Sequence, residues 1–516
     1  MDKSRQTEAL FQRYGPTYRW FVTIAGLLAF FTMVFSSTMV NVAIPNVMGA
    51  YGVGQDKAQY LSTAFPATTV TSLLLNSWFI AKIGQRPAFT VSMILFFVGS
   101  AICGFAPTLD LIILGRILQG FAAGIIQPMI MVVLFQVFPP EKRGLAMAMF
   151  SMGVVFALGL GPALGGYTID LFNWRYIFLV PIPPAIISLV LGLIFLPDRP
   201  PGPPAGPFDF IGYALMCVAV FSLMTIIGNG QRAGWVSDSI LMLTVMLVLS
   251  VVGFVMSQQR AQSNLLDLRL FKNRRFVTAI CVSFLFGFGS FATIYIFPVF
   301  TQIVQGFSAT EAGSLLLPGS ILAACVLPFT GRLADIFPAP IVITIGMFIF
   351  AVSVLFMANA DVDTLFWNMA FYLFIGRIGV ALISPALNAA ALAALPASQM
   401  PTGAGVINLF LMLGGSCGIN ILVVILERRI EFHSDAFTAT QTSSNEATRE
   451  LLTSVHGLLN SGGVPESQHA PIALHYLGDI VQQQANTMGF QDGFIAVGLI
   501  SMFALIPVFL LTQNHR

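Results

Sequence analysis

Two arginines stand where charge is costly. Arg116 lies in LIILGRILQGFAAGIIQP and Arg377 in FYLFIGRIGVALISP, both apolar stretches of the kind that cross a bilayer as helices. A guanidinium does not give up its proton, so inside a membrane it must face protein or a water-filled cavity, which makes it a functional-site candidate. For Arg116, near the expected midplane, the competing role is that of a structural pin bonded to backbone carbonyls of the first and fifth spans. Gln119 and Gln127 lie on nearby turns of the same helix, and Asn41 in the first span is available to complete a polar pocket. Arg377 holds the matching place in the second half of the chain with a weaker local motif. Most of the 47 phenylalanines and 22 methionines must face lipid or pack helices; the exceptions singled out are Phe291, Tyr295 and Gln302, expected to face the first span, and Asn408.

The acids are elsewhere. Asp110, Asp170, Asp209, Glu311, Asp335, Glu427 and Asp492 all fall at or near the ends of apolar runs, and no Asp or Glu is placed deep within one. His433, His456, His469 and His475 belong to one polar segment and His515 to the C-terminus. The interior therefore carries positive charge without a negative counterpart, a field that attracts anions and repels organic cations.

The elements that must position these residues are transmembrane helices. Of 516 residues, 56% are hydrophobic and 9% charged, a composition of a polytopic membrane protein. A net charge of +2 with scattered basic residues excludes nucleic acid as a partner. The five cysteines lie within apolar runs and read as packing residues, neither a disulfide framework nor a metal site. No nucleotide, metal or catalytic constellation appears, so no enzyme and no cofactor is expected. Fourteen spans are predicted, at about 20–45, 59–81, 87–105, 111–134, 144–167, 175–196, 208–228, 239–258, 276–303, 312–334, 340–359, 365–392, 402–426 and 493–511. Lys82, Arg86, Lys142, Arg143, Arg260, Lys272 and Arg332 fall on the side of the N-terminus, while the short loops of the other side hold only Lys57, Arg175 and Arg232. Both termini are therefore expected in the cytoplasm.

The expected organisation follows. Residues 1–19 form a cytoplasmic segment, 20–196 a six-helix half, 197–207 (PDRPPGPPAGP) a proline-rich cytoplasmic linker, 208–258 two inserted helices, 259–426 helices nine to thirteen, 427–492 a long outside loop and 493–516 the last helix and tail. The loop contains an amphipathic helix in ALHYLGDIVQQQA, and it is either a docking surface or a solvated cap. A weak internal repeat supports two halves: Pro45 and Pro298 are 253 residues apart, SWFIAKIG and GRLADIF 254, and Arg116 and Arg377 261. Repeated halves put a binding site where they meet.

TMVNVAIP, SWFIAKIGQR, RILQGFAAG, ALGLGPALGG, FDFIG, DLRLFKNRRF and FSATEAGSLLLPG together resemble the major facilitator superfamily, and more closely its fourteen-helix drug/proton antiporters of the EmrB/QacA type. The loop ends ERRIEFH and QQQANTMGFQDGF are similar to the EmrB branch. The resemblance implies an all-α membrane fold of two pseudo-symmetric six-helix halves plus two central helices, an inner-membrane location, coupling to the proton gradient and a periplasmic adaptor protein as partner. It assigns Gly161, Pro162, Gly165 and Gly166 to a gate in the fifth span, for which close helix packing is the plain alternative. It makes Lys82, Gly84, Arg86 and the second-half Asp335 a cytoplasmic loop motif, with Ala81 where the family's aspartate stands. Ser36 occupies the place of the family's first-helix acid, so the usual proton relay is not visible. The expected activity is export of neutral or anionic amphipaths, such as drugs, weak acids or lipid-like products, by alternating access. Its rivals are a lipid or lysolipid flippase and a transport-inactive sensor or scaffold of the same fold.

Overall fold

The computed structural model describes residues 14–138, 143–196, 208–260, 265–266, 268–396, 399–442 and 444–513. Residues 1–13 and the linker 197–207 lie outside these. The chain is built from helices. Those of the first half are α1 (Tyr18–Tyr51), α2 (Tyr60–Ile83), α3 (Gln85–Phe105), α4 (Leu109–Val137), α5 (Arg143–Leu171) and α6 (Ile182–Phe195). Next come α7 (Phe210–Ala233) and α8 (Asp238–Arg260), then α9 (Arg274–Ile303), α10 (Leu316–Ile336), α11 (Ala339–Met357), α12 (Phe366–Ala393) and α13 (Met400–Thr440). The chain ends with α14 (Glu446–Ser461), α15 (Glu466–Phe503) and α16 (Leu505–Gln513).

Local chemistry explains the breaks. Gly52 ends α1 at φ +60°, and Gly84 joins α2 to α3 at φ +91°, a backbone region that favours glycine. Asp209 and Asn273 cap α7 and α9 by accepting from backbone N–H groups of the first turn. Ser308 and Glu311 form a capping box on the short helix Ala309–Ser314. The sixth span starts as a 3₁₀ turn at Trp174–Phe178 and becomes α-helical only from Ile182, because Pro181, Pro183 and Pro184 lack the N–H that would continue a single helix.

Eleven helices among the described residues are long and apolar enough to cross a membrane. The second, fifth and tenth expected spans coincide with α2, α5 and α10, helices of 24, 29 and 21 residues. The segment 427–492, expected as an outside loop, is largely helical: α13 runs on to Thr440, α14 follows, and the helix expected in ALHYLGDIVQQQA is part of α15, which continues into the last span. No Gly or Pro interrupts α13 from Glu427 to Thr440, and Gly489 and Gly493 of α15 sit against Ile430 and Leu426 of α13, so the two helices run on side by side. Arg429 and His433 of α13 bond Asp492 of α15 at 2.6 and 2.7 Å, which ties the two extensions together.

The halves repeat one packing scheme. α1 packs on α5, α2 on α4 and α3 on α4; α9 packs on α13, α10 on α12 and α11 on α12. The halves meet through α1 with α9, α2 with α13 and α5 with α10. The inserted α7 lies against both α2 and α13, where Val70, Val220, Met224, Leu409 and Cys417 form a buried apolar cluster. α8 packs on α7, and only 17% of its apolar stretch is buried, so it is a peripheral, lipid-facing helix.

One end of the bundle, the capped end that carries the extensions of α13 and α15, is cross-linked by polar contacts. Arg232 of α7 reaches Asp56 of the α1–α2 loop at 2.5 Å and Glu427 of α13 at 3.0 Å, and the Asp56 amide donates to Glu427 at 3.1 Å. Asp56 is 4% exposed, so losing Arg232 would leave its carboxyl group buried without a counter-charge. Arg232→Ala should therefore lower the melting temperature of the purified protein by the equivalent of about 1–3 kcal/mol, with Asp56→Asn restoring part of it. Equal melting of wild type and Arg232→Ala would show that the triad holds nothing together.

Candidate functional site: two buried arginines

α4 brings Arg116 into the first half with no exposed surface. Nε donates to the Leu61 carbonyl at 2.9 Å, Nη1 to the Ser36 carbonyl at 3.1 Å and to Gln119 Oε1 at 3.0 Å, and Nη2 to the Ser37 carbonyl at 3.5 Å. The Phe65 ring covers the guanidinium face, 4.7 Å from Cζ to the ring centre. Gln119 Nε2 in turn donates to Ser100 Oγ of α3 at 2.9 Å. Glycines make these distances short: a Cβ on Gly99 would lie 2.6 Å from the Gly115 carbonyl, and one on Gly120 would overlap the Phe65 carbonyl, so α3 and α2 approach α4 backbone to backbone.

The fourth helix begins at Leu109, so Arg116 lies two turns, about 10 Å, from the capped end of that helix. Its backbone partners come from α1 and α2, where the pinning role was expected to use the first and fifth spans; α4 packs along α2 and only slightly on α5.

The remaining candidates fall into groups. Asn41 accepts from Ser62 Oγ at 2.7 Å, one residue from the Leu61 carbonyl, and so belongs to the same polar cluster. Ser36 is 2% exposed and its Oγ has no partner. Gln127 is three turns further along α4 and partly buried, away from that cluster. On α9, Gln302 donates to the Val42 carbonyl of α1 at 3.0 Å and so bridges the halves. Tyr295 is fully buried with an unpartnered hydroxyl, and Phe291 lies against Gly415. The Asn408 amide turns back to the Ala404 carbonyl of its own helix.

Arg377 differs from Arg116. It is 9% exposed, sits against Gly319 of α10, and lines a cavity with Ser290, Thr293, Leu316, Phe350 and Ser353. None of the described residues accepts a hydrogen bond from it or pairs with its charge.

The glycine motif of α5 faces two ways. Gly161 and Gly165 meet Thr38 and Met39 of α1, while a Cβ on Gly166 would overlap the Ala309 carbonyl and one on Gly313 the Pro162 carbonyl, both across the boundary between halves. Thr310 N–H also donates to Asp170 across that boundary at 2.9 Å. These contacts close the halves together at the capped end. At the opposite end, Arg86 donates to the Leu196 carbonyl at 3.0 and 2.7 Å, and Lys82 lies 4.6 Å from the Trp78 ring centre. The backbone at Asp335 is helical in α10; its side chain is outside the described set.

The Major Facilitator Superfamily model matches residues 26–419. The chain belongs to this superfamily. Among its curated relatives, the probable multidrug resistance protein EmrY of Escherichia coli (strain K12) is 30% identical over 86% of this chain and 88% of its own. The multidrug export protein EmrB of the same strain is 29% identical over 85% and 86%, and the fatty acid resistance protein FarB of Neisseria gonorrhoeae 28% over 96% of each. The facilitator fold is also seen in a solved bacterial homologue of the lysosomal transporter Spinster, in an inward-facing, unoccupied conformation, with a TM-score of 0.65 at 16% identity over 96% of this chain and 97% of that one. In this facilitator the residues that sequence reasoning missed are Leu61, Phe65 and Ser100 around Arg116, and Asp56 with Arg232 and Glu427 at the capped end. Nothing local in the sequence marks either group.

Arg116→Ala should destabilise the protein by about 3 kcal/mol or more, since it strands the Gln119 amide and removes charged hydrogen bonds from buried carbonyls. Arg116→Lys should recover less than half, because an ammonium lacks the planar fork. Thermal melting of the three purified proteins measures this, and an alanine variant as stable as wild type would remove the pinning role.

Proposed function

We propose that this facilitator is a secondary exporter of amphipathic neutral or anionic compounds, moving cargo outward by alternating access and coupled to the proton gradient. The observation that carries it is charge balance: Arg116 and Arg377 are buried in the spans, whereas the carboxylates of the cross-linked network, Asp56, Glu427, Asp170 and Asp492, sit at the capped end. A low-dielectric interior with that imbalance favours anions over cations. The relatives named for multidrug export and fatty acid resistance support the reading. The distribution of Lys and Arg supports a cytoplasmic location for both termini, which puts the capped end outside and makes the closed capped end an inward-facing arrangement of an inner-membrane protein.

Reconstituted protein under an imposed pH gradient, assayed with one anionic and one cationic dye, tests the proposal. Wild type should move the anion and discriminate against the cation. Ser36→Asp adds a carboxylate beside Arg116, whose Nη1 already touches the Ser36 carbonyl, so the anion-to-cation ratio should fall about tenfold. Wild-type transport of the cation as readily as the anion, or an unchanged ratio in the folded variant, would overturn the charge argument. Flux of neither dye, with or without the gradient, would favour a sensor or scaffold.

The extensions of α13 and α15, with α14 between them, suit an adaptor that continues the export path. Replacing residues 444–464 by a short Gly/Ser linker should leave flux in proteoliposomes unchanged and abolish resistance of cells to an exported compound. Full resistance without the segment would argue against docking there.

A further inference from the structure

The repeat sets an arginine at one point of a common frame in each half, and the two copies differ in a way that assigns them different work. A step of 261 residues carries Gly115, Arg116 and Gln119 of α4 onto Gly376, Arg377 and Val380 of α12. A step of 254 carries Phe65 of α2 onto Gly319 of α10, and a step of 253 carries Ser37 of α1 onto Ser290 of α9. The packing agrees with the arginine match: Gly115 faces Cys103 Sγ of α3, Gly376 faces Ser353 Oγ of α11 in the same way, and a Cβ on Gly319 would lie 3.1 Å from Arg377 Cγ.

In the first half every face of the guanidinium is covered. In the second half the covering groups are exchanged for smaller or apolar ones. Gly319 leaves a hydrogen where Phe65 puts a ring over Arg116, and Val380 offers no acceptor where Gln119 offers Oε1. Ser353 Oγ is turned away, donating to the Tyr372 carbonyl at 2.7 Å, and Thr293 Oγ1 donates to the Gly289 carbonyl at 2.8 Å. Ser290 Oγ is buried without a partner beside the cavity that Arg377 lines. That cavity has about 20 Å³ open to the centre of a water-sized group, room for one such group. No described residue pairs with Arg377, its nitrogens are not among the fully enclosed unpartnered atoms, and arginine does not escape by deprotonation, so a group that enters the cavity can reach the charge.

We propose that Arg377 and the Ser290 hydroxyl form an anion site that takes one small anionic atom, either a carboxylate oxygen at the head of an amphipathic cargo or a free halide. The headgroup form deepens the exporter reading and rests on it; the halide form does not. Arg116, in contrast, is enclosed by its own half and acts on cargo only through its field, so the charge that a group can contact directly is the one in the second half.

The test is ligand-dependent melting of the full-length protein in detergent. In one arm chloride replaces the bulky HEPES anion at constant ionic strength; in the other, decanoate is compared with decanol. Wild type should show a saturable rise of about 2–4 °C in at least one arm. A response to chloride identifies a halide, and a response to decanoate that decanol does not reproduce identifies the cargo headgroup. Arg377→Gln should weaken the half-saturating concentration tenfold or more. Val380→Gln, which keeps the charge and supplies the amide that Gln119 gives Arg116, should do the same, and it carries the test if the first variant does not fold. A wild type silent in both arms, or variants that respond as wild type does, would overturn the site. A chloride response in a protein that moves no amphipath would refute the exporter reading and leave the site standing.

Discussion

A charge that cannot be neutralised, placed in an apolar interior, constrains more of this structure than any other interaction. Arg116 must find acceptors, and in a helical bundle the nearest ones are backbone carbonyls already engaged in their own helices. Reaching the Leu61, Ser36 and Ser37 carbonyls requires α1 and α2 to come closer to α4 than ordinary side chains allow. The glycines of RILQGFAAG and its neighbours meet that requirement: Gly120 and Gly124 rest on the α2 backbone, and Gly99 and Gly115 on each other. In this conformation the motif packs three helices around one guanidinium.

The same physics acts between the halves. Gly166 and Gly313 each admit a backbone carbonyl from the other half, and Gln302 hands its amide across to α1. Small-residue faces of this sort make contacts that are good at one spacing and vanish when the helices part, so the seal has two states and no continuum between them. A rocking motion that opens the capped end must break the Arg232 triad as well, which couples the inserted α7 to the movement of both halves.

Much of this architecture was legible in the sequence. Apolar length gave the spans, the repeat offsets gave the two halves, and the motifs gave the family. What local reading could not supply was partnership. Which arginine is covered depends on Phe65 against Gly319 and on Gln119 against Val380, pairs visible only once four helices are superposed by their offsets. Asp56 and Glu427 lie 371 residues apart, so no window of sequence could join them. The segment after α13 read as a loop because polarity was taken as the end of a helix, whereas α13 and α15 carry their helical hydrogen bonding past the apolar boundary.

The placement of α7 and α8 also breaks the symmetry that two equal halves would otherwise have. Two flanks run along the boundary between the halves, one between α2 and α13 and one between α5 and α10. α7 plugs the first with the Val220 and Met224 cluster, and α8 lies beyond it. The second has no such cover among the described residues, and Leu164, Tyr167 and Ile321 are exposed along it. The acyl chains therefore meet a protein with a front and a back: one flank of the boundary between the halves lies behind the inserted pair, and the α5–α10 flank faces them directly.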